Sequence, residues 1–199
     1  MKLCHAVIMP LKFPIPKEIQ KKPFTWAEAK ALGVSWNEIQ RLLKAGTIER
    51  LSRGIYRVTA DDIDEEEQFR IATLRAGGES AVCLVSALAH YGLTDAIPRT
   101  VWLMVPAEKH LRFTGIKLFR KRSPQFETGV INANGYSITT LERTLAECLT
   151  ERKRIGSNIA IAAVREATKK KSTSLGKILD MASALKIDKR IRPIIEAMA

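Results

Sequence analysis

The hydrophobic and polar positions between residues 24 and 45 predict two short helices in tandem. Thr25 and Glu28, and then Ser35 and Glu38, have the spacing of a capping box, in which a hydroxyl and a carboxylate satisfy the free amides that begin a helix. After the second box, apolar residues recur at the spacing of one helix face, at Ile39, Leu42 and Leu43. A glycine follows each pattern and ends it. This order of helix, turn and helix predicts a helix-turn-helix motif.

Two strand-like runs follow, Thr47–Leu51 and Ile55–Val58, and a short turn containing Gly54 joins them. Glycine supplies the backbone freedom that a tight hairpin needs. We predict that this hairpin is a wing, and that its arginines point outward to meet phosphate or a minor groove. These arginines are Arg50, Arg53 and Arg57.

If the second helix lies in the major groove, the exposed residues from its N-terminus onward face the base edges. These residues are Ser35, Trp36, Asn37, Gln40, Arg41 and Lys44. Asn37 and Gln40 carry the amide suited to adenine, and Arg41 carries the fork suited to guanine or phosphate. Trp36 is consistent with either a DNA contact or a core anchor. A winged helix used only for protein contacts would expose more apolar area than this polar face offers.

The pattern after residue 60 predicts a smaller mixed unit with a helical tail, and an α/β (α+β) fold for the whole chain. A helix is predicted over Glu65–Arg75, and Ser80 is predicted to cap a second helix over Ala81–Tyr91. The predicted strands are Thr100–Val105, Ile116–Arg120, Val130–Ile131 and Tyr136–Ile138, the last two joined by an Asn-Gly turn. The predicted helices of the tail are Leu141–Leu149, Asn158–Lys169, Leu175–Leu185 and Ile187–Met198.

The formal net charge of +12 is distributed unevenly along the chain. Residues 1–60 contain eleven Lys and Arg against four Glu, a balance of +7, whereas residues 61–80 contain two Arg against seven Asp and Glu, a balance of −5. A positive first segment suits a phosphate backbone, although it would also attract an acidic partner. The acidic band at residues 61–80 indicates a boundary between domains. We therefore expect a DNA-binding domain at 1–60, an acidic connector with a helix at 61–79 and an α/β domain at 80–199.

Composition favours a cytoplasmic protein. No apolar run approaches the roughly 18 residues that span a bilayer, and the proline-broken start does not fit a signal peptide. The three cysteines are isolated, and they fit a reducing compartment better than a disulfide framework or a metal site. We therefore expect no membrane segment and no metal.

Candidate catalytic residues in the second domain are few. Ser86 and His90 lie four residues apart on one predicted helix face, a spacing that suits a nucleophile and its base. No third group, nucleophile elbow, phosphate-binding glycine loop or cluster of carboxylates accompanies them in the sequence. We therefore predict that the protein is not an enzyme, that it needs no cofactor, and that His90 has a structural or polar-contact role.

The order of several short motifs resembles the AbiEi family of bacterial antitoxins over roughly residues 24–150. The motifs are Arg53-Gly54-Ile55-Tyr56, the segment Ser86–Leu93, Ile97-Pro98, Val105-Pro106 and the segment Ile138–Leu145. The resemblance implies a winged helix that represses its own operon by binding inverted repeats in promoter DNA. It also implies a C-terminal domain that neutralises a nucleotidyltransferase-like toxin, usually without a stable complex. Family members often have a full helix before the motif, where this chain has only residues 17–22 to form one turn.

The same resemblance directs attention to polar residues of the second domain. Thr139 or Thr140 is expected to cap the helix that carries Arg143. Arg143 then either forms a surface ion pair or joins a basic surface that includes Lys121 and meets DNA, a guarded nucleic acid or the toxin. The candidate residues of this domain are Ser86, His90, Lys117, Arg120, Arg122, Thr140 and Arg143.

Two other functions remain open from the sequence. One is a stand-alone winged-helix transcriptional regulator whose second domain senses a ligand or oligomerises. The other is a protein-interaction module. A nucleotidyltransferase-like gene directly downstream would favour the antitoxin, and its absence would favour the stand-alone regulator.

Overall fold

The computed structural model describes residues 15–59, 64–95, 100–111, 113–122 and 125–198. The chain divides into two compact units with the boundary between residues 61 and 62. The predicted mixed α/β class is confirmed, because each unit combines helices with its own sheet. Cys4, the Ile97-Pro98 motif and the start of the acidic band lie outside the described residues.

The first unit is a helix-turn-helix followed by a hairpin. Its elements are α1 (Lys17–Gln20), β1 (Phe24–Thr25), α2 (Trp26–Ala31), α3 (Trp36–Lys44), β2 (Ile48–Ser52) and β3 (Ile55–Val58). The strands form an antiparallel sheet in the order β1-β3-β2, in which the short β1 was not predicted from the sequence. Both predicted capping boxes are confirmed, at the starts of α2 and α3.

The core of the first unit is contributed by its helices and its sheet together. Ile19 of α1, Phe24 of β1, Ala29 of α2, Ile39 of α3 and Ile48 of β2 are all buried in one cluster. The single turn of α1 therefore contributes an apolar side chain, Ile19, to this core. This core fixes the backbone of α3 and leaves its polar face in solvent.

The second unit is built on a five-stranded mixed sheet in the order β6-β5-β4-β8-β7. Its strands are β4 (Ala81–Val82), β5 (Val101–Pro106), β6 (Ile116–Lys121), β7 (Val130–Ala133) and β8 (Tyr136–Thr139). Its helices are α4 (Glu65–Ala76), α5 (Leu84–His90), α6 (Leu141–Thr150), α7 (Arg152–Ile155), α8 (Ser157–Lys169), α9 (Leu175–Ala184) and α10 (Asp188–Glu196). The predicted hairpin and the four predicted tail helices are confirmed, with ends shifted by a few residues, and α7 was not predicted.

Alternating side chains of the sheet divide this unit into two hydrophobic clusters. Val101 and Leu103 of β5 pack on one face with Phe69 of α4. Trp102 and Met104 pack on the other face with residues of α6 and the helical tail. α4 is thus part of the second unit, where the charge pattern had predicted a connector.

The prediction that Ser80 caps a helix over Ala81–Tyr91 is wrong at its N-terminal end. Ala81–Val82 form the central strand β4, which pairs with β5 and β8. Helix α5 begins only at Leu84, and the Ser80 hydroxyl instead donates to the carbonyl of Gly77 at 3.0 Å. A short apolar run suits a buried strand and a buried helix equally, so pairing with distant strands decides its conformation.

Within the described ranges, no helix combines the length and the apolar character needed to cross a membrane.

Candidate nucleic-acid interface

One face of α3 is polar and open to solvent. The six residues predicted to face DNA, Ser35, Trp36, Asn37, Gln40, Arg41 and Lys44, are all exposed. Asn37, Gln40, Arg41 and Lys44 follow the i, i+3, i+4, i+7 spacing, so their side chains share one side of the helix. Ile39 and Leu42 lie on the opposite side and are buried. We call these four polar residues the α3 face.

The start of α3 is fixed by reciprocal hydrogen bonds. The Ser35 hydroxyl accepts from the Glu38 amide at 3.3 Å, and the Ser35 amide donates to Glu38 Oε2 at 2.6 Å. Hydrogen bonds from the side chain and backbone of Ser35, with a smaller contribution from Arg41, hold the pKa of Glu38 below its ordinary value. Since its hydroxyl is engaged in the cap, Ser35 sets where α3 begins and how the α3 face is presented.

Trp36 lies at the N-terminal end of the α3 face and is not a core anchor. It is 47% exposed. Its ring meets that of Trp26 edge-on, with centroids 5.2 Å apart and an interplanar angle of 79°. The contact fixes the orientation of the indole and leaves much of it accessible.

The wing presents two exposed arginines beside this unit's helices. Arg53 lies in the turn between β2 and β3 and is exposed, and Gly54 next to it has φ +76°, which glycine adopts without strain. Arg50 on β2 is exposed, and its Nε donates to the carbonyl of Ser52 at 3.2 Å. This hydrogen bond holds the Arg50 side chain along the hairpin.

The prediction that Arg57 points outward is wrong. Arg57 is 5% exposed, and its Nε lies 2.5 Å from Glu49 Oε1. Glu49 is the direct cross-strand partner of Arg57 in the β2–β3 register, so the two side chains lie side by side. Arg57 therefore braces the wing from inside and does not offer its charge to a ligand.

Ser86 and His90 of α5 do not form a catalytic pair. Ser86 is fully buried, and its hydroxyl accepts from the backbone amide of Trp102 at 3.0 Å. His90 Nδ1 lies 3.0 Å from the hydroxyl of Tyr136. Ser86 therefore connects α5 to β5, while His90 connects the same helix to β8.

The predicted cap of α6 is confirmed at Thr140, whose hydroxyl accepts from the backbone amide of Arg143 at 3.4 Å. Next to it, the Tyr91 hydroxyl donates to the carbonyl of Thr139 at 2.8 Å. Burial, with a smaller contribution from Glu142, raises the pKa of Tyr91 to about 12. The turn that begins α6 is thus fixed against α5.

Both surface roles predicted for Arg143 are wrong, because this residue is fully buried. Its guanidinium donates to the carbonyls of Phe126 and Thr128, and its Nη2 lies 3.2 Å from Glu147 Oε1. Lys121 also reaches Glu147 Oε1, at 3.3 Å. Glu147 Oε2 is buried without a hydrogen-bond partner in the described part of the chain. This network ties α6 to β6 and to the segment before β7.

The remaining basic candidates of the second unit, Lys117, Arg120 and Arg122, are exposed on or directly after β6. β6 is an edge strand of the sheet. Arg154 of α7 lies beside the same strand, and its Nη2 reaches the carbonyl of Leu118 at 3.5 Å. Arg154 was not singled out from the sequence, although the basic run at residues 152–154 is the signal that marks it.

The residues that carry the helix-turn-helix and the wing also carry a family match. Residues 15–59 match a family model described as "Transcriptional regulator, AbiEi antitoxin". This region is similar to AbiEi antitoxin regulators. The match confirms the resemblance over the helix-turn-helix and the wing, and it supports an antitoxin and DNA-binding role of AbiEi type. The motifs predicted between residues 86 and 145 lie outside the matched region.

A fold similarity extends into the second unit. The chain resembles the structure titled "Crystal structure of RV2827C protein from Mycobacterium tuberculosis", with a TM-score of 0.56 and 15% sequence identity. The similarity covers 81% of this chain and 66% of that one, so the chain spans just under two thirds of its neighbour's length. No curated protein matches the chain in sequence.

Proposed function

We propose that the protein is an antitoxin that represses its own operon by binding inverted repeats in promoter DNA. The observation that carries the DNA-binding part is the α3 face, a row of amides and cations exposed on a helix whose other side is held in a core. The family match over residues 15–59 supports the regulatory part. Because inverted repeats are read by two copies related by two-fold symmetry, two chains would bind each operator.

Each exposed residue has a distinct role in this proposal. Asn37 and Gln40 read base edges in the major groove, since a side-chain amide can form two hydrogen bonds with adenine. Arg41 and Lys44 bind guanine or phosphate from the same face. Arg53 and Arg50 bind the backbone or the minor groove at the wing.

Fluorescence anisotropy with promoter fragments tests these roles. Arg53→Ala is expected to weaken binding to all sequences alike and to lower the slope of log K against log salt by about one. Asn37→Ala and Gln40→Ala are expected to relax the preference at single base pairs, by about 1–3 kcal/mol each. Lys177→Ala, an exposed change on α9, is the control. Equal losses on every sequence from all three interface variants would contradict the assignment of α3 as the reading helix.

We propose further that the second unit neutralises a nucleotidyltransferase-like toxin in the cytoplasm, without a stable toxin–antitoxin complex and without enzymatic activity. The family description supports an antitoxin. The burial of Ser86 and the structural contacts of His90 support a non-catalytic second unit, because neither residue is placed as a nucleophile or its base.

Rescue of growth tests the antitoxin part. Co-expression of the full chain with the nucleotidyltransferase-like product of a neighbouring gene is expected to restore growth that the toxin arrests. The double variant Asn37→Ala/Gln40→Ala is expected to lose operator binding and to keep rescue. Failure of the wild-type chain to rescue would contradict the antitoxin role and would favour a stand-alone regulator.

A further inference from the structure

A cavity of about 580 Å³, broadly open to solvent, lies beside the edge strand β6 of the second unit. Three cations line it, Lys117 and Arg120 of β6 and Arg154 of α7. Its apolar lining comes from Leu111, Phe113, Ile116 and Leu118. No carboxylate lines the cavity in the described part of the chain, so its potential is positive.

Two of the three cations are held in place by one aromatic ring. Lys117 Nζ lies 4.1 Å from the ring centroid of Trp102, and Arg154 Cζ lies 4.9 Å from it. Trp102 is itself only 5% exposed, so the ring that both cations contact is held in place by the core. The aromatic ring attracts both charges without neutralising them. Lys117 and Arg154 are therefore positioned before any ligand arrives.

Strand addition, the usual use of an exposed sheet edge, is disfavoured at this position. The Ile116 amide donates to the carbonyl of Phe113 at 3.3 Å, outside the sheet. The Leu118 carbonyl accepts from Arg154. A peptide that paired with β6 would have to displace both partners, whereas a compact ligand would leave them in place.

We propose that this cavity binds a nucleotide, with its phosphates on Lys117, Arg120 and Arg154. A phosphate chain needs several cations without a competing carboxylate, as the cavity provides. The base would lie against the apolar side chains, on one side of a pocket that is open to solvent. The proposal does not depend on the antitoxin function or on DNA binding by the first unit.

Isothermal titration calorimetry of the full chain tests the proposal with ATP, inorganic tripolyphosphate and adenosine as probes. ATP is expected to bind several-fold more tightly than tripolyphosphate, because only ATP uses the apolar lining. Arg120→Ala is expected to weaken ATP binding about tenfold, the effect of one lost charged contact. Lys153→Ala is the matched control, since Lys153 is exposed next to Arg154 and lies outside the lining. It is expected to change ATP affinity by less than about twofold.

Three results would overturn the nucleotide site. The first is that ATP does not bind at about 1 mM, and the second is that Arg120→Ala and Lys153→Ala weaken ATP binding equally. The third is that tripolyphosphate binds as tightly as ATP. Binding of single-stranded oligonucleotides in the absence of mononucleotide binding would also overturn it, in favour of a nucleic-acid strand. Anisotropy with promoter DNA is measured on the same samples. A urea-unfolding transition like that of the wild type shows that the second unit of Arg120→Ala is folded. Intact DNA binding by the same variant separates failure here from failure of the proposed function.

Discussion

At the scale of single residues, two arginines have a different role in the structure from the one that the sequence predicts. Arg57 and Arg143 both belong to basic patterns in the sequence, and both are buried. Each has a carboxylate at a position fixed by its own element, Glu49 across the hairpin and Glu147 one helical turn ahead. A charge that gains such a partner can be buried, whereas an arginine without one stays in solvent.

The two wing arginines are expected to give opposite results on substitution. Arg57→Ala is expected to lower the free energy of unfolding by about 1–3 kcal/mol, because it removes the buried partner of Glu49. Arg53→Ala is expected to change stability by less than about 0.5 kcal/mol, since its side chain is exposed. Urea unfolding of both variants measures the difference. Equal stability of the two variants would contradict a structural role for Arg57.

Removal of Arg143 is expected to be among the most costly single changes in the second unit. Arg143→Met leaves Glu147 buried with Lys121 as its remaining cation, and it removes the donor to two backbone carbonyls. The expected loss is about 3–5 kcal/mol in urea unfolding. The double variant Arg143→Met/Glu147→Met is expected to be more stable than Arg143→Met alone. Additive losses would show that the two side chains are not coupled.

At the scale of elements, local signals predict the first unit better than the second. The capping boxes of α2 and α3 are formed by residues three apart, so the sequence contains everything that places these helices. β4 is different, because it is two residues long and exists through its pairing with β5 and β8. Its hydrophobic pattern contains no information about those partners.

The cap of α3 is expected to make that helix sensitive to acid. Because the folded pKa of Glu38 is lowered, its contribution is complete above its ordinary value, about 4.5, and is lost as pH falls through the lowered pKa. Hydrogen exchange of the α3 amides between pH 7 and pH 3 is expected to show this loss after correction for intrinsic rates.

Two variants separate the cap from other effects of acid on α3. Glu38→Gln is expected to remove much of the acid dependence of exchange, because its amide does not titrate. Ser35→Ala is expected to cost about 1 kcal/mol already at pH 7. Unchanged acid dependence in Glu38→Gln would assign the effect to another group.

At the scale of the whole molecule, each of the two units has its own core. Ile39 is buried in the core of the first unit and Leu145 in the larger cluster of the second. The two clusters share no residue. Stability is therefore expected to be set separately within each unit.

Core substitutions test this separation. Ile39→Ala and Leu145→Ala are each expected to cost about 2–5 kcal/mol. Hydrogen exchange measured by mass spectrometry is expected to rise in β1–β3 and α3 for Ile39→Ala, and in α6 and its packing partners for Leu145→Ala. Acceleration in both units by either variant would show one cooperative unit.

Much of the candidate interface could be predicted from the sequence, because the interactions that place its residues are local. The exposure of Asn37, Gln40, Arg41 and Lys44 follows from helix periodicity once Ser35 marks the start. The burial of Arg57 depends on a cross-strand neighbour eight residues away, which the hairpin pattern in the sequence did not reveal. In the second unit, the cavity beside β6 depends on Trp102 of β5 and Arg154 of α7, which are far apart in sequence and meet only in the folded unit.

The sequence by itself determined the helix-turn-helix, the wing and the α3 face, because caps, turns and helix faces depend on residues a few positions apart. Only the tertiary structure decided which charges are buried, which apolar run becomes the central strand and where cations gather around a cavity. Those outcomes depend on pairings between distant segments. A charge can be buried without a large loss of stability only when its partner is in place.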